Sequence, residues 1–140
     1  MQFKKLKDGY IIKVEKGEEL IETLTKFCAE NKIASGSISG VGGTNNVCLY
    51  YYDSELKEYL PKTFSGKNYE IISLSGNIAL IDGKPFAHIH TALGDSDFSI
   101  FGGHLKSAII GITGEVTINM IDGELHRSFD DVCKLNLLAL

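Results

Sequence analysis

Residues Pro85 to Leu105 read P-F-A-H-I-H-T-A-L-G-D-S-D-F-S-I-F-G-G-H-L and hold three of the four histidines in the chain. The turn signal Asp82-Gly83-Lys84-Pro85 launches this stretch, and the apolar residues that follow at every second position predict a strand. Successive strand side chains alternate between faces, so His88 and His90 point the same way, with Phe86 and Ala92 beside them. His104 arrives later, behind Gly102 and Gly103. Two imidazoles at i and i+2, joined by a third from a nearby strand, predict a facial three-histidine set that leaves one coordination position open. That is the pattern of a reactive metal rather than a structural one. Partly buried core histidines or a hydrogen-bonded surface pair are the plainer alternative. The clustering of imidazoles in a histidine-poor chain favours the metal.

Outward from this stretch, short β-patterned segments dominate. Phe3 to Leu6 and Tyr10 to Val14 predict an opening hairpin around Asp8-Gly9. From Glu18 to Asn31 the period changes: Leu20, Ile21, Leu24, Phe27 and Cys28 recur at helical spacing, with Glu18, Glu19 and Glu22 at the positive end of the dipole. The segment Ser35 to Thr44, S-G-S-I-S-G-V-G-G-T, is too glycine-rich for an ordinary strand interior and predicts close approach, by the helix or by a neighbouring subunit. It lacks the G-K-[ST] and the following helix of a phosphate loop. Val47 to Asp53 and Glu58 to Phe64 predict paired strands, with Tyr50, Tyr51 and Tyr52 suited to plain sheet positions, an interface or a pocket wall.

Tyr69 to Asn77 predicts a strand on which Glu70 shares a face with Ile72 and Leu74, and Asn77 to Ile81 a further short strand. A carboxylate on an apolar face needs a partner. Glu70 is therefore the candidate catalytic residue, as an acceptor orienting a ligating histidine or as a base, with a solvated edge position as the alternative. Lys106 to Met120 predicts a long alternating strand, and His126 beyond it an exposed strand residue.

The 140 residues, 44% of them hydrophobic and only two of them proline, fit one domain spanning 1–140. Lys+Arg number 14 against 18 Asp+Glu, for a net charge of -4. That balance excludes a uniformly basic surface for phosphate backbones. No apolar run predicts a secretion signal or a membrane span, which points to a cytoplasmic protein with no membrane partner. Cys28, Cys48 and Cys133 are odd in number and widely spaced, and read as reduced packing residues.

The succession G-S-I-S-G-V-G-G, L-Y-Y-Y-D, Y-E-I-I-S-L-S-G-N-I-A, P-F-A-H-I-H and F-G-G-H-L resembles the plant-and-prokaryote conserved (PPC) domain in its stand-alone prokaryotic form, over essentially the whole chain. The resemblance implies an α+β fold, mainly antiparallel sheet with one principal helix packed on it, assembled as a homotrimer. It also implies zinc, or another divalent transition metal, at His88, His90 and His104. The family's DNA-binding label comes from plant nuclear proteins in which an AT-hook arm precedes the domain, and this sequence has neither such an arm nor a basic balance. Two functions follow: a metal-site protein that acts on or senses a small molecule, or a DNA-associated regulatory module. For an enzyme, hydrolysis at a carbonyl or phosphoryl centre is the expected reaction.

Overall fold

The computed structural model describes residues 1–140. Its elements run β1 (Gln2–Leu6), β2 (Gly9–Glu15), α1 (Leu20–Glu30), β3 (Gly36–Asp53), β4 (Glu58–Ile81), β5 (Lys84–Gly94), β6 (Ile100–Met120), β7 (His126–Asp130) and β8 (Leu135–Ala139). This is an α+β fold with one helix on a mainly antiparallel sheet. The single parallel contact pairs Leu80 of β4 with His126 of β7.

The helix forms where the apolar period is 3.6: Leu20, Leu24, Phe27 and Cys28 are its buried stripe. Glu19 caps it, accepting from the Glu22 backbone N–H at 2.6 Å, while its other carboxylate oxygen accepts from the Ala108 N–H of β6 at 2.7 Å. One side chain thus starts the helix and fixes it to the sheet. The helix is not long and apolar enough to cross a membrane.

Its stripe enters a single core of 23 buried residues, which includes Ile12 and Val14 of β2, Ile38 and Val47 of β3, Leu74 and Ile78 of β4, Ile89 and Leu93 of β5, and Leu105, Ile110, Val116 and Ile118 of β6. Each such side chain, fully buried, contributes on the order of 2 kcal/mol.

The sheet closes on itself. β3 pairs with β4 and β6, and β5 pairs with the same two strands, so β3, β4, β5 and β6 form a ring. Two glycines permit that closure. Gly76 of β4 lies opposite Ile89, where an added Cβ would overlap the carbonyl oxygen of His88; Gly102 of β6 lies opposite Ala92, where a Cβ would overlap the carbonyl oxygen of Thr91.

The structure corrects three sequence expectations. Residues 77–81 are not a separate strand, because β4 runs unbroken from Glu58 to Ile81. At Gly40 the glycine-rich segment is approached within the chain by β6 rather than by the helix, a Cβ there coming within 2.7 Å of the Glu115 carbonyl oxygen. Glu70 does not sit on an apolar face. A register shift between Ile71 and Ser73 inserts a bulge, so Ile71 and Leu74 both turn inward while Glu70 and Ile72 are exposed.

Gly76→Ala should force β5 away from β4 and cost about 1–3 kcal/mol, as overpacking does. Urea denaturation should show a lower midpoint at unchanged slope. An unchanged midpoint would contradict the close approach.

Candidate metal centre

On β5 the alternate positions Ala87, Ile89, Thr91 and Leu93 are buried, which turns His88 and His90 to the outer face. The β4–β5 register sets His88 against Asn77 and His90 against Ser75, and the β5–β6 register sets His90 directly against His104. Leu105 is buried, so His104 too faces outward. The three rings form a nearly equilateral triangle, with centroids 5.2, 5.0 and 5.3 Å apart, and one nitrogen from each lies within 4.8 Å of the others. The set could hold a metal ion.

Aromatic and cationic neighbours surround it. Tyr50 stacks on the His104 ring with centroids 6.1 Å apart, and Tyr59 lies 5.2 Å from that ring and 5.1 Å from Tyr50. Arg127, carried by β7, donates from Nη2 to Asn77 Oδ1 at 2.7 Å and to His88 Nδ1 at 3.1 Å, and from Nη1 to the Asn136 carbonyl at 3.1 Å. A guanidinium only donates, so His88 accepts at Nδ1 and carries its proton on Nε2. A cation taking Nε2 would move that proton to Nδ1 and release the Arg127 contact.

Burial lowers the pKa of His88, with Arg127 and then His90 adding to the effect. Burial pushes His104 down to about 4, helped by His88, His90, Lys106 and Arg127. Both rings are therefore neutral at pH 7, with lone pairs available to a cation. The Nδ1 of His104 is buried without a hydrogen-bond partner, which leaves an atom of the triad for which the protein supplies no match. Three converging imidazoles, His88 and His104 held neutral and one buried nitrogen left unpartnered, fit a divalent transition metal.

Of the sequence candidates, His88, His90 and His104 come together, whereas Glu70 does not join them. It pairs with Gly43 and Gly94, five positions along β4 from the Ser75 that faces His90, a separation on the order of 15 Å. His126 is exposed, with Nε2 3.2 Å from Glu124 Oε2. The three cysteines are free, Cys28 buried and the others half-buried. Sequence reasoning missed Arg127 and Asn77, whose only signal is a strand pairing between residues far apart in the chain.

A model of the Plants and Prokaryotes Conserved (PCC) domain matches residues 1–122. Among solved structures, a candidate DNA-binding protein from Bacteroides thetaiotaomicron is 33% identical, with a TM-score of 0.95 over 99% of this chain and 96% of that one. A metal-containing protein from Archaeoglobus fulgidus is 34% identical, with a TM-score of 0.89 over 100% of this chain and 99% of that one. A plant- and prokaryote-conserved (PPC) protein from Pyrococcus horikoshii is 33% identical, with a TM-score of 0.88 over 99% of this chain and 95% of that one. No match is found among curated proteins.

The depressed His104 pKa makes stability depend on pH in the metal-stripped protein. Between the ordinary value of 6.5 and about 4, the unfolded chain takes up a proton that the folded ring refuses, so stability is lost as pH falls through that window. Unfolding free energies measured from pH 7 to 4 should therefore fall more steeply for wild type than for His104→Gln. Parallel curves would contradict the burial argument.

Proposed function

The chain belongs to the Plants and Prokaryotes Conserved (PCC) domain family, and from that membership we propose that it is a homotrimeric metal-site protein in which His88, His90 and His104 hold zinc or another divalent transition metal. The observation that carries this reading is the convergence of three imidazole nitrogens within 4.8 Å. The metal-containing Archaeoglobus relative adds support. Zinc suits three nitrogen ligands with an open fourth position, where it supplies a Lewis acid for a small-molecule ligand or substrate. The protein's own residues shape the approach: Tyr50 and Tyr59 wall one side of His104, and Arg127 sets positive charge beside His88. Glu70 has no part in this site within the subunit.

The trimer draws support from apolar residues that the single chain leaves in water. Val41, Ile72 and Ile112 are 52%, 46% and 59% exposed. They lie at one level of the sheet, where Gly43 packs near Ile112 and Gly94 near Ile72. A second copy would cover them. Three free thiols suit the reducing cytoplasm.

Native mass spectrometry should show a trimer with one metal per chain. Replacing His88, His90 or His104 by Ala should weaken metal binding at least tenfold without dissolving the trimer, while His126→Ala should keep the metal. A monomer would contradict the assembly, and equal metal in all four variants would contradict the site.

The candidate DNA-binding relative from Bacteroides motivates a second reading, a DNA-associated regulatory module. The net charge of -4 opposes it. Titration of labelled duplex at two salt concentrations should give only weak, non-specific binding, with Kd about 10⁻⁴ to 10⁻⁶ M or weaker. Sub-micromolar, sequence-selective binding that persists in the higher salt would make the regulatory reading the better one.

A further inference from the structure

Beside the histidines lies a cavity of about 340 Å³, at the small end of the range for ligand sites. Its cationic side chains are Arg127, Lys106 and Lys134, and no Asp or Glu lines it, although acids outnumber bases in the chain by 18 to 14. Lys134 is already paired with Asp131 at 3.2 Å. Lys106 has no acidic partner; its Nζ sits 6.0 Å from the centre of the Tyr50 ring.

Arg127 spends Nη1 and Nη2 on Asn136, Asn77 and His88, but its Nε–H is buried with no partner at all. A buried donor on a charged group without an acceptor is costly to keep, and it leaves an under-satisfied guanidinium in the wall of the cavity. The remaining walls are aromatic and aliphatic, among them Tyr50, Tyr59, Phe86 and Leu137.

We propose that this cavity binds a small organic carboxylate, its anionic group held by Arg127 and Lys106 and its apolar body by Tyr50, Tyr59 and Phe86. The proposal deepens the metal-site reading and rests on it for what the ligand's far end meets, though not for the hold on the anion. One guanidinium with an unspent N–H and one ammonium without an acidic partner match a singly charged planar group. A phosphate is commonly held by a run of backbone N–H groups at a helix N-terminus or nest; the first turn of α1 reaches this cavity through Ile21, but there the Glu19 carboxylate already takes the Glu22 N–H and sets a negative charge against a phosphate. The hairpin β7–β8 brings Arg127, Lys134 and Leu137, so residues beyond the 1–122 family match supply much of the selectivity.

The test is calorimetric titration with benzoate, its neutral counterpart benzamide, and inorganic phosphate, on chelator-stripped and zinc-loaded protein whose metal content is measured in the same samples. Benzoate should bind the stripped protein, with benzamide and phosphate each at least tenfold weaker. Arg127→Gln should weaken benzoate tenfold or more. Lys106→Gln, an exposed change that leaves the fold intact, should weaken it several-fold.

Equal binding of benzamide or phosphate would overturn the assignment, as would benzoate binding unaffected by Lys106→Gln. Benzoate binding confined to the zinc-loaded protein would place the anion on the metal, overturning the pocket while the metal site stands. Benzoate binding in a protein that takes up no metal would keep the pocket and end the metal reading.

Discussion

Strand β5 is hydrogen-bonded along both edges, to β4 on one side and β6 on the other, and the site depends on that double pairing. It can be so close to both only because Gly76 and Gly102 offer no Cβ to the carbonyls they face. Ring closure sets His90 opposite His104, and period-two alternation then delivers His88 to the same face while Ile89 and Leu93 go to the core. Core packing and imidazole placement are therefore one constraint. A site on strands bonded at both edges is held more precisely than one on loops.

The hairpin of β7 and β8 completes the surroundings from outside this ring. Ser35 Oγ lies 2.8 Å from the Ile121 carbonyl and 2.6 Å from the Gly123 carbonyl, its single O–H shared between them, fixing the chain that leads into it. The Leu80 N–H donates to the Leu125 carbonyl at 2.7 Å, and the Tyr52 hydroxyl donates to the Cys133 carbonyl. These few contacts seat Arg127 over Asn77 and His88, with Phe86 5.7 Å below its guanidinium. In an acidic chain, the outer face by the histidines is thus locally cationic. That field adds to burial in depressing the pKa values of His88 and His104, and it favours anions in the adjoining cavity.

Much of this was legible in residue periods. The helix declared itself by its 3.6 spacing and acidic start, and the His88/His90 pair by strand alternation. Each depends on a neighbour only a few residues away. Glu70 was misplaced because alternation assumes an unbroken strand, and nothing in Y-E-I-I-S-L-S marks the bulge after Ile71 that reverses the faces. The glycine-rich segment was correctly read as a close approach, but within the chain its partner is β6 rather than the helix, a pairing that sequence alone does not say. Arg127 was invisible for the same reason: its contact with His88 spans 39 residues and exists only once β7 has docked against β4.

The central claim, that three imidazoles from β5 and β6 coordinate one divalent cation, is tested most directly by X-ray absorption spectroscopy of the zinc-loaded protein. The account predicts a first shell of nitrogen and oxygen alone, with zinc–nitrogen distances of about 2.0–2.1 Å and multiple-scattering features of three imidazoles. A sulfur shell at about 2.3 Å, or fewer than two imidazoles per zinc, would contradict it.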